Sequence, residues 1–95
     1  MEHVYLVCYD ISDQKRWRKI YKTMKGYGAW LQLSVFQCRL NKEDLLKMTD
    51  TLTEIMHCDE DNLIIIDIGV AETVSFKVAS YGRPFQPIKH SAVVI

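Results

Sequence analysis

The chain has 95 residues, 48% hydrophobic and 25% charged, which fits a single small folded domain over 1–95 and excludes a disordered or low-complexity polypeptide. Twelve basic and twelve acidic residues leave no net charge, so no global basic excess argues for nucleic acid. Three cysteines without a CxxC pair and three scattered histidines lack zinc spacing and read as a reducing, cytoplasmic protein, and no apolar run is long enough for a membrane span.

A chain of this size buries little core alone, and dimerisation is an expected source of more. Charge is also unevenly placed. Residues 14–25 hold six Lys or Arg and no acid, while most acids fall between Glu43 and Glu72.

Residues 4–9, VYLVCY, form a short apolar, β-favouring run of the kind expected for a central strand, and they end abruptly on Asp10. A carboxylate at a strand's carboxyl end sits where ligand-handling groups are often found, although such an Asp also commonly caps the next helix. Ser12 or Asp13 can cap that helix, in which Trp17, Ile20, Tyr21 and Met24 have the spacing of a buried stripe. On the opposite side Lys15, Arg18, Lys22 and Lys25 line up, flanked by Arg16 and Lys19. A cation row with no interspersed acid favours a polyanion partner over a merely solvated face. Gly26 to Gly28 end the helix, glycine being expected there in the left-handed conformation.

From Ala29 to Leu40 the residues alternate without a turn signal, which predicts one long strand. Ala29, Leu31, Leu33 and Val35 are expected under the helices, and Trp30, Gln32, Ser34, Phe36 and Cys38 on a face suited to a partner. Asn41 is a good N-cap for a second amphipathic helix carrying Leu45, Met48, Leu52, Ile55 and Met56, ending near His57. The acidic loop 59–62 has the composition of a solvated connection or a weak cation site. Leu63 to Ile68 form a second apolar strand closed by Gly69, with Asp67 required to face an edge or partner. Residues 71–81 are expected as a short helix. Beyond it Pro84 and Pro87 force an extended path over about 83–95, and the terminal SAVVI is expected to add to a sheet, its own or a second copy's.

The residues YDISD at 9–13, KRWRK at 15–19, YGAWLQLSVFQCRL at 27–40 and EDNLIIIDIG at 60–69 together resemble the CRISPR-associated protein 2 family, the small subunit of the machinery that inserts foreign DNA as new spacers. The resemblance implies an α+β, ferredoxin-like βαββαβ sandwich, dimerised through its sheets, with an extra C-terminal strand joining the partner. It also implies two short strands within 29–40, joined near Leu33 and Ser34. Asp10 matches the family's acidic residue, implying one Mg2+ per dimer between two Asp10 carboxylates, and Tyr9, Ser34 and Phe36 match positions around that cleft. Lys15, Arg16, Arg18, Lys19, Lys22 and Lys25 are the expected nucleic-acid contacts. Trp17 and Trp30 depart from the family, standing where many members carry basic residues. The implied function is a homodimeric scaffold for the CRISPR-associated integrase dimers on double-stranded DNA, with magnesium-dependent endonuclease activity on single-stranded RNA as a second property. The alternative is a small regulatory ligand-binding module of the same fold, without nucleic-acid function.

Overall fold

The computed structural model describes residues 1–75 and 77–82. Its elements are β1 (His3–Asp10), α1 (Gln14–Lys25), β2 (Gly28–Gln32), β3 (Val35–Leu40), α2 (Lys42–Ile55) and β4 (Asn62–Val70). The strands form one antiparallel sheet in the order β2-β3-β1-β4, the ferredoxin-like βαββαβ arrangement. The apolar run of β1 thus becomes an inner strand, paired on one edge with β3 and on the other with β4.

Alternation along β1 assigns its faces. Tyr5, Val7 and Tyr9 enter the core with Phe36, Cys38 and Leu40 of β3, which is closed by Trp17, Ile20, Tyr21 and Met24 of α1 and Met48 and Leu52 of α2. Both helices therefore lie on one side of the sheet. The even-numbered residues Leu6 and Cys8 face the other side, paired with Gln37 and Val35 on one edge and with Ile66 and Ile64 on the other. Ile64 and Ile66 remain 50% and 44% exposed, so β4 presents large apolar side chains to solvent there.

The expected long strand at 29–40 is two strands joined at Leu33 and Ser34, and its faces are the reverse of those read from the sequence. Phe36 and Cys38 are buried to 0% and 1% exposure, with Trp30 packed against the core, whereas Ala29 and Leu33 are exposed. Alternation separates two faces but does not say which one the helices cover. Pairing does: Phe36 lies opposite Val7 and Cys38 opposite Tyr5.

Local signals account for most boundaries. Asp13, of the two expected caps, accepts the Arg16 N–H at 2.9 Å, and Asn41 accepts that of Asp44 at 2.8 Å. Gly26 is right-handed at φ −79°, not left-handed as expected. Gly28 is the glycine that matters here, because a Cβ there would meet the Gln37 carbonyl and the Cys38 sulfur. The strand β4 does not close at Gly69. It continues to Val70 because Gly69, at φ 135°, accommodates a register shift against β1. Asp67 is exposed as required, pairing with His3 Nδ1 at 2.9 Å and accepting the Gly69 N–H.

The helix expected over 71–81 is absent among the described residues. Thr73 and Val74 both donate to the Val70 carbonyl in a single turn, and the β-branched and hydroxyl residues that follow do not propagate it. Of the cysteines expected as core hydrophobes, Cys38 is buried, Cys8 partly so, and Cys58 is exposed. The terminal strand SAVVI and the extended segment from residue 83 lie outside the described residues. No helix among the described residues is long and apolar enough to cross a membrane.

Truncating Phe36 to Ala is expected to cost about 3–5 kcal/mol in urea unfolding, as for a core aromatic, while Leu33→Ala at the exposed turn stays within about 0.5 kcal/mol.

Candidate functional site

Asp10 is the last residue of β1, exposed and opposite Asn62 in the ladder. By alternation it lies on the sheet face of Leu6 and Cys8, away from the helices. Among the described residues no hydrogen bond or ion pair engages its carboxylate. It is a free oxygen donor on a rigid base. No group of three or more His, Cys, Asp or Glu gathers for a metal among the described residues, so a single chain supplies this one carboxylate.

The neighbouring site candidates divide by depth. The Ser34 carbonyl accepts the Tyr9 N–H at 3.0 Å, and its hydroxyl accepts the Trp17 indole N–H at 2.9 Å, which fixes the β2–β3 turn beside the end of β1. Phe36 is wholly buried, and Tyr9 is 5% exposed with its ring 6.3 Å from that of Phe36 and 6.4 Å from that of Trp17. The Tyr9 hydroxyl is buried with no partner among the described residues, and burial pushes its phenol up, so it stays protonated at neutral pH. Tyr9 and Phe36 form an aromatic base beneath Asp10, while Ser34 is the one of the three that is partly accessible.

Along α1, Lys15, Arg18, Lys19, Lys22 and Lys25 are all exposed, and none has a carboxylate partner among the described residues. Lys25 Nζ lies 5.7 Å from the Tyr21 ring centroid. The opposite face of the helix is anchored by the Trp17–Tyr21 stack, centroids 5.2 Å apart and planes 6° off parallel.

Arg16 departs from the expected row. Its Nε donates to Asp61 at 2.8 Å and its Nη2 to Glu60 at 3.0 Å, so acids from the loop before β4 neutralise a cation that has no acidic neighbour within its own helix. Asp61 is not the solvated loop residue expected. Its side chain is fully buried and accepts from Arg16 Nε and Nη2, from the Ser12 N–H and hydroxyl, and from the His57 N–H. The Arg16 guanidinium, helped by the His57 and Ser12 donors and opposed by burial, holds this carboxyl well below the usual carboxylate range. Asp61 and Ser12 were missed as a pair because 49 residues separate them. The available signal was an Asp immediately before the apolar strand that pairs with the end of β1.

The family model for CRISPR associated protein Cas2 matches residues 3–74. This chain belongs to the Cas2 family. Among its relatives, a CRISPR-associated endoribonuclease Cas2 of Geobacter sulfurreducens is 52% identical over 95 residues, covering all of both chains. A second, the CRISPR-associated endoribonuclease Cas2 1 of Rhodospirillum rubrum, is 46% identical over 94 residues, 99% of this chain and 92% of that one. The crystal structure of a hypothetical protein from Thermus thermophilus matches with a TM-score of 0.75 at 28% identity, covering 90% of this chain and all of that one. The indoles at Trp17 and Trp30 have local tasks in this Cas2 chain. Trp17 holds Ser34, and Trp30 Nε1 lies 3.4 Å from the Leu33 carbonyl of the same turn.

The lowered Asp61 carboxyl sets a pH dependence. A group whose folded value lies below its unfolded value of about 3.9 stabilises the fold above that pH and loses the contribution as pH falls toward the folded value. Stability to urea is therefore expected to fall below about pH 4. The fall should be shallower in Asp61→Asn, which is less stable than the parent at neutral pH; equal acid slopes for the two proteins would remove Asp61 as the cause.

Proposed function

We propose that the chain is the small subunit of CRISPR spacer acquisition, a homodimer joined through its open sheet faces. It bridges dimers of the integrase and holds double-stranded DNA by its backbone along α1, with magnesium-dependent endoribonuclease activity as a second property. The observation that carries this reading is the placement of an unengaged Asp10 carboxylate on the apolar, helix-free face of the sheet. Covering Leu6, Cys8, Ile64 and Ile66 with a second copy removes exposed apolar area from water and brings two Asp10 strand ends into one cleft. Membership of the Cas2 family and the endoribonuclease names of its relatives support the same reading.

The donor chemistry fits magnesium. Mg2+ takes hard oxygen ligands and keeps several waters, so two carboxylates facing each other supply what one chain lacks. When bound, the ion supplies charge neutralisation at a phosphodiester and lowers the pKa of a coordinated water. What the chain itself contributes is positional. The β1–β4 ladder fixes the Asp10 backbone, Ser34 is held beside it by Trp17, and the exposed Lys and Arg side chains of α1 attract phosphates without reading bases. Two ionised Asp10 carboxylates in one cleft repel each other, which a cation relieves.

Scaffold and nuclease separate on one residue. Asp10→Asn keeps the shape and is expected to abolish magnesium-dependent RNA cleavage while leaving integration by the reconstituted complex intact. Loss of both would sink the scaffold reading, and retained cleavage would remove Asp10 from the site. For the cation row, replacing Lys15, Arg18 and Lys22 together by Gln should weaken duplex binding regardless of sequence and flatten the salt dependence by up to about one unit of slope per lost phosphate contact. An unchanged slope would reduce the row to a solvated face.

A further inference from the structure

Asp61 and Asn62 grip the end of β1 in two ways. Asn62 is the ladder partner of Asp10, while the buried Asp61 carboxylate reaches past it to Ser12, two residues beyond Asp10. The same carboxylate takes both Nε and Nη2 of Arg16 on the first turn of α1, and the His57 N–H just after α2. Arg16 Nη2 also lies 3.3 Å from the Ser12 hydroxyl. One side chain therefore ties together the turn that carries Asp10, the helix that carries the cation row and the connection entering β4. Apart from the Asp13 cap, the bonds described for residues 11–13 are these and the first helical bond from Trp17 to the Asp13 carbonyl. Without Asp61 the hydrogen bonds described for the turn run only to its own helix, and what else holds it is the packing of Ile11 against the core.

We propose that Asp61, acting through Ser12 and Arg16, is a positioning residue that holds Asp10 for metal binding, and that Arg16 belongs to this clip and is not a phosphate contact. The inference rests on the reading of Asp10 as a metal ligand. Its chemical content is a fork. A planar guanidinium spans both Asp61 oxygens and Glu60 at once, which a lysine ammonium at the same position does not reproduce even though it keeps the charge. Outer partners of this kind orient a ligand without touching the ion.

The test uses the purified full chain and Mg2+ alone, titrated calorimetrically at a temperature well below the melting point of every variant. Asp61→Asn and Arg16→Lys are each expected to weaken Mg2+ binding by about 10–100-fold, the usual effect of removing a partner that orients a ligand. Arg16→Gln should leave the salt slope of duplex binding unchanged, whereas Lys22→Gln lowers it by about one unit. If Asp61→Asn does not fold, Arg16→Lys, which keeps the charge, carries the metal measurement. Folded variants that bind Mg2+ like the parent would overturn the inference and leave the metal reading standing. A lowered slope for Arg16→Gln would overturn the assignment of Arg16. Asp10→Asn is the distinguishing arm: Mg2+ binding unchanged there would show that the metal reading itself has failed, and the clip would then have no ligand to position.

Discussion

The structure depends on a mismatch in β1. An inner strand with apolar side chains on both faces must be covered on both, yet α1 and α2 lie on one side of the sheet. Tyr5, Val7 and Tyr9 find cover within the chain; among the described residues Leu6 and Cys8 are only half-buried, and Ile64 and Ile66 beside them are exposed. Such a face is costly to leave in water, which is why the proposed function covers it with a second copy. The placement of Asp10 follows from the same alternation. Two residues beyond Cys8, it falls on the uncovered face, so the surface that calls for a partner also carries the free carboxylate.

The helical side of the molecule organises charge as the sheet organises apolar area. The Trp17–Tyr21 stack and the buried Ile20 and Met24 fix the rotation of α1, which leaves the lysines and Arg18 in solvent. Arg16 is the exception, drawn back by a buried carboxylate. A buried Asp61 carboxylate paired with a partly exposed Arg16 is tolerable because five donors satisfy the two Asp61 oxygens. The result is a helix with one neutralised cation at its start and, along its length, a row of exposed ones that have no carboxylate partner among the described residues.

Beneath the site the side chains are there for rigidity. Phe36 and Tyr9 cannot reach a substrate through the sheet, and a protonated, buried Tyr9 phenol has no acid–base part to play near neutral pH. Trp17 and Trp30 both hold the β2–β3 turn, the first through the Ser34 hydroxyl and the second at the Leu33 carbonyl. In this Cas2 chain both indoles serve the frame of the turn beside Asp10.

The sequence by itself determined the strands at 4–9 and 63–68, both helices with their caps and buried stripes, and the prominence of Asp10 and the cation row, because these follow from periodicity and local hydrogen bonding within a few residues. The split of 29–40 came from family resemblance, since Leu33 and Ser34 carry no strong turn chemistry. Which face of β3 the helices cover was decided only by pairing: Phe36 goes inward because it lies opposite Val7. The expected helix after Ala71 failed because propensity over so short a stretch is weak against one closed turn at Val70. The role of Asp61 was decided wholly in three dimensions. An Asp in an acidic loop looks solvated until the fold sets it against Ser12 and Arg16, whose distance along the chain no local pattern spans, and burial then turns an ordinary carboxylate into the residue that joins the two halves of the site.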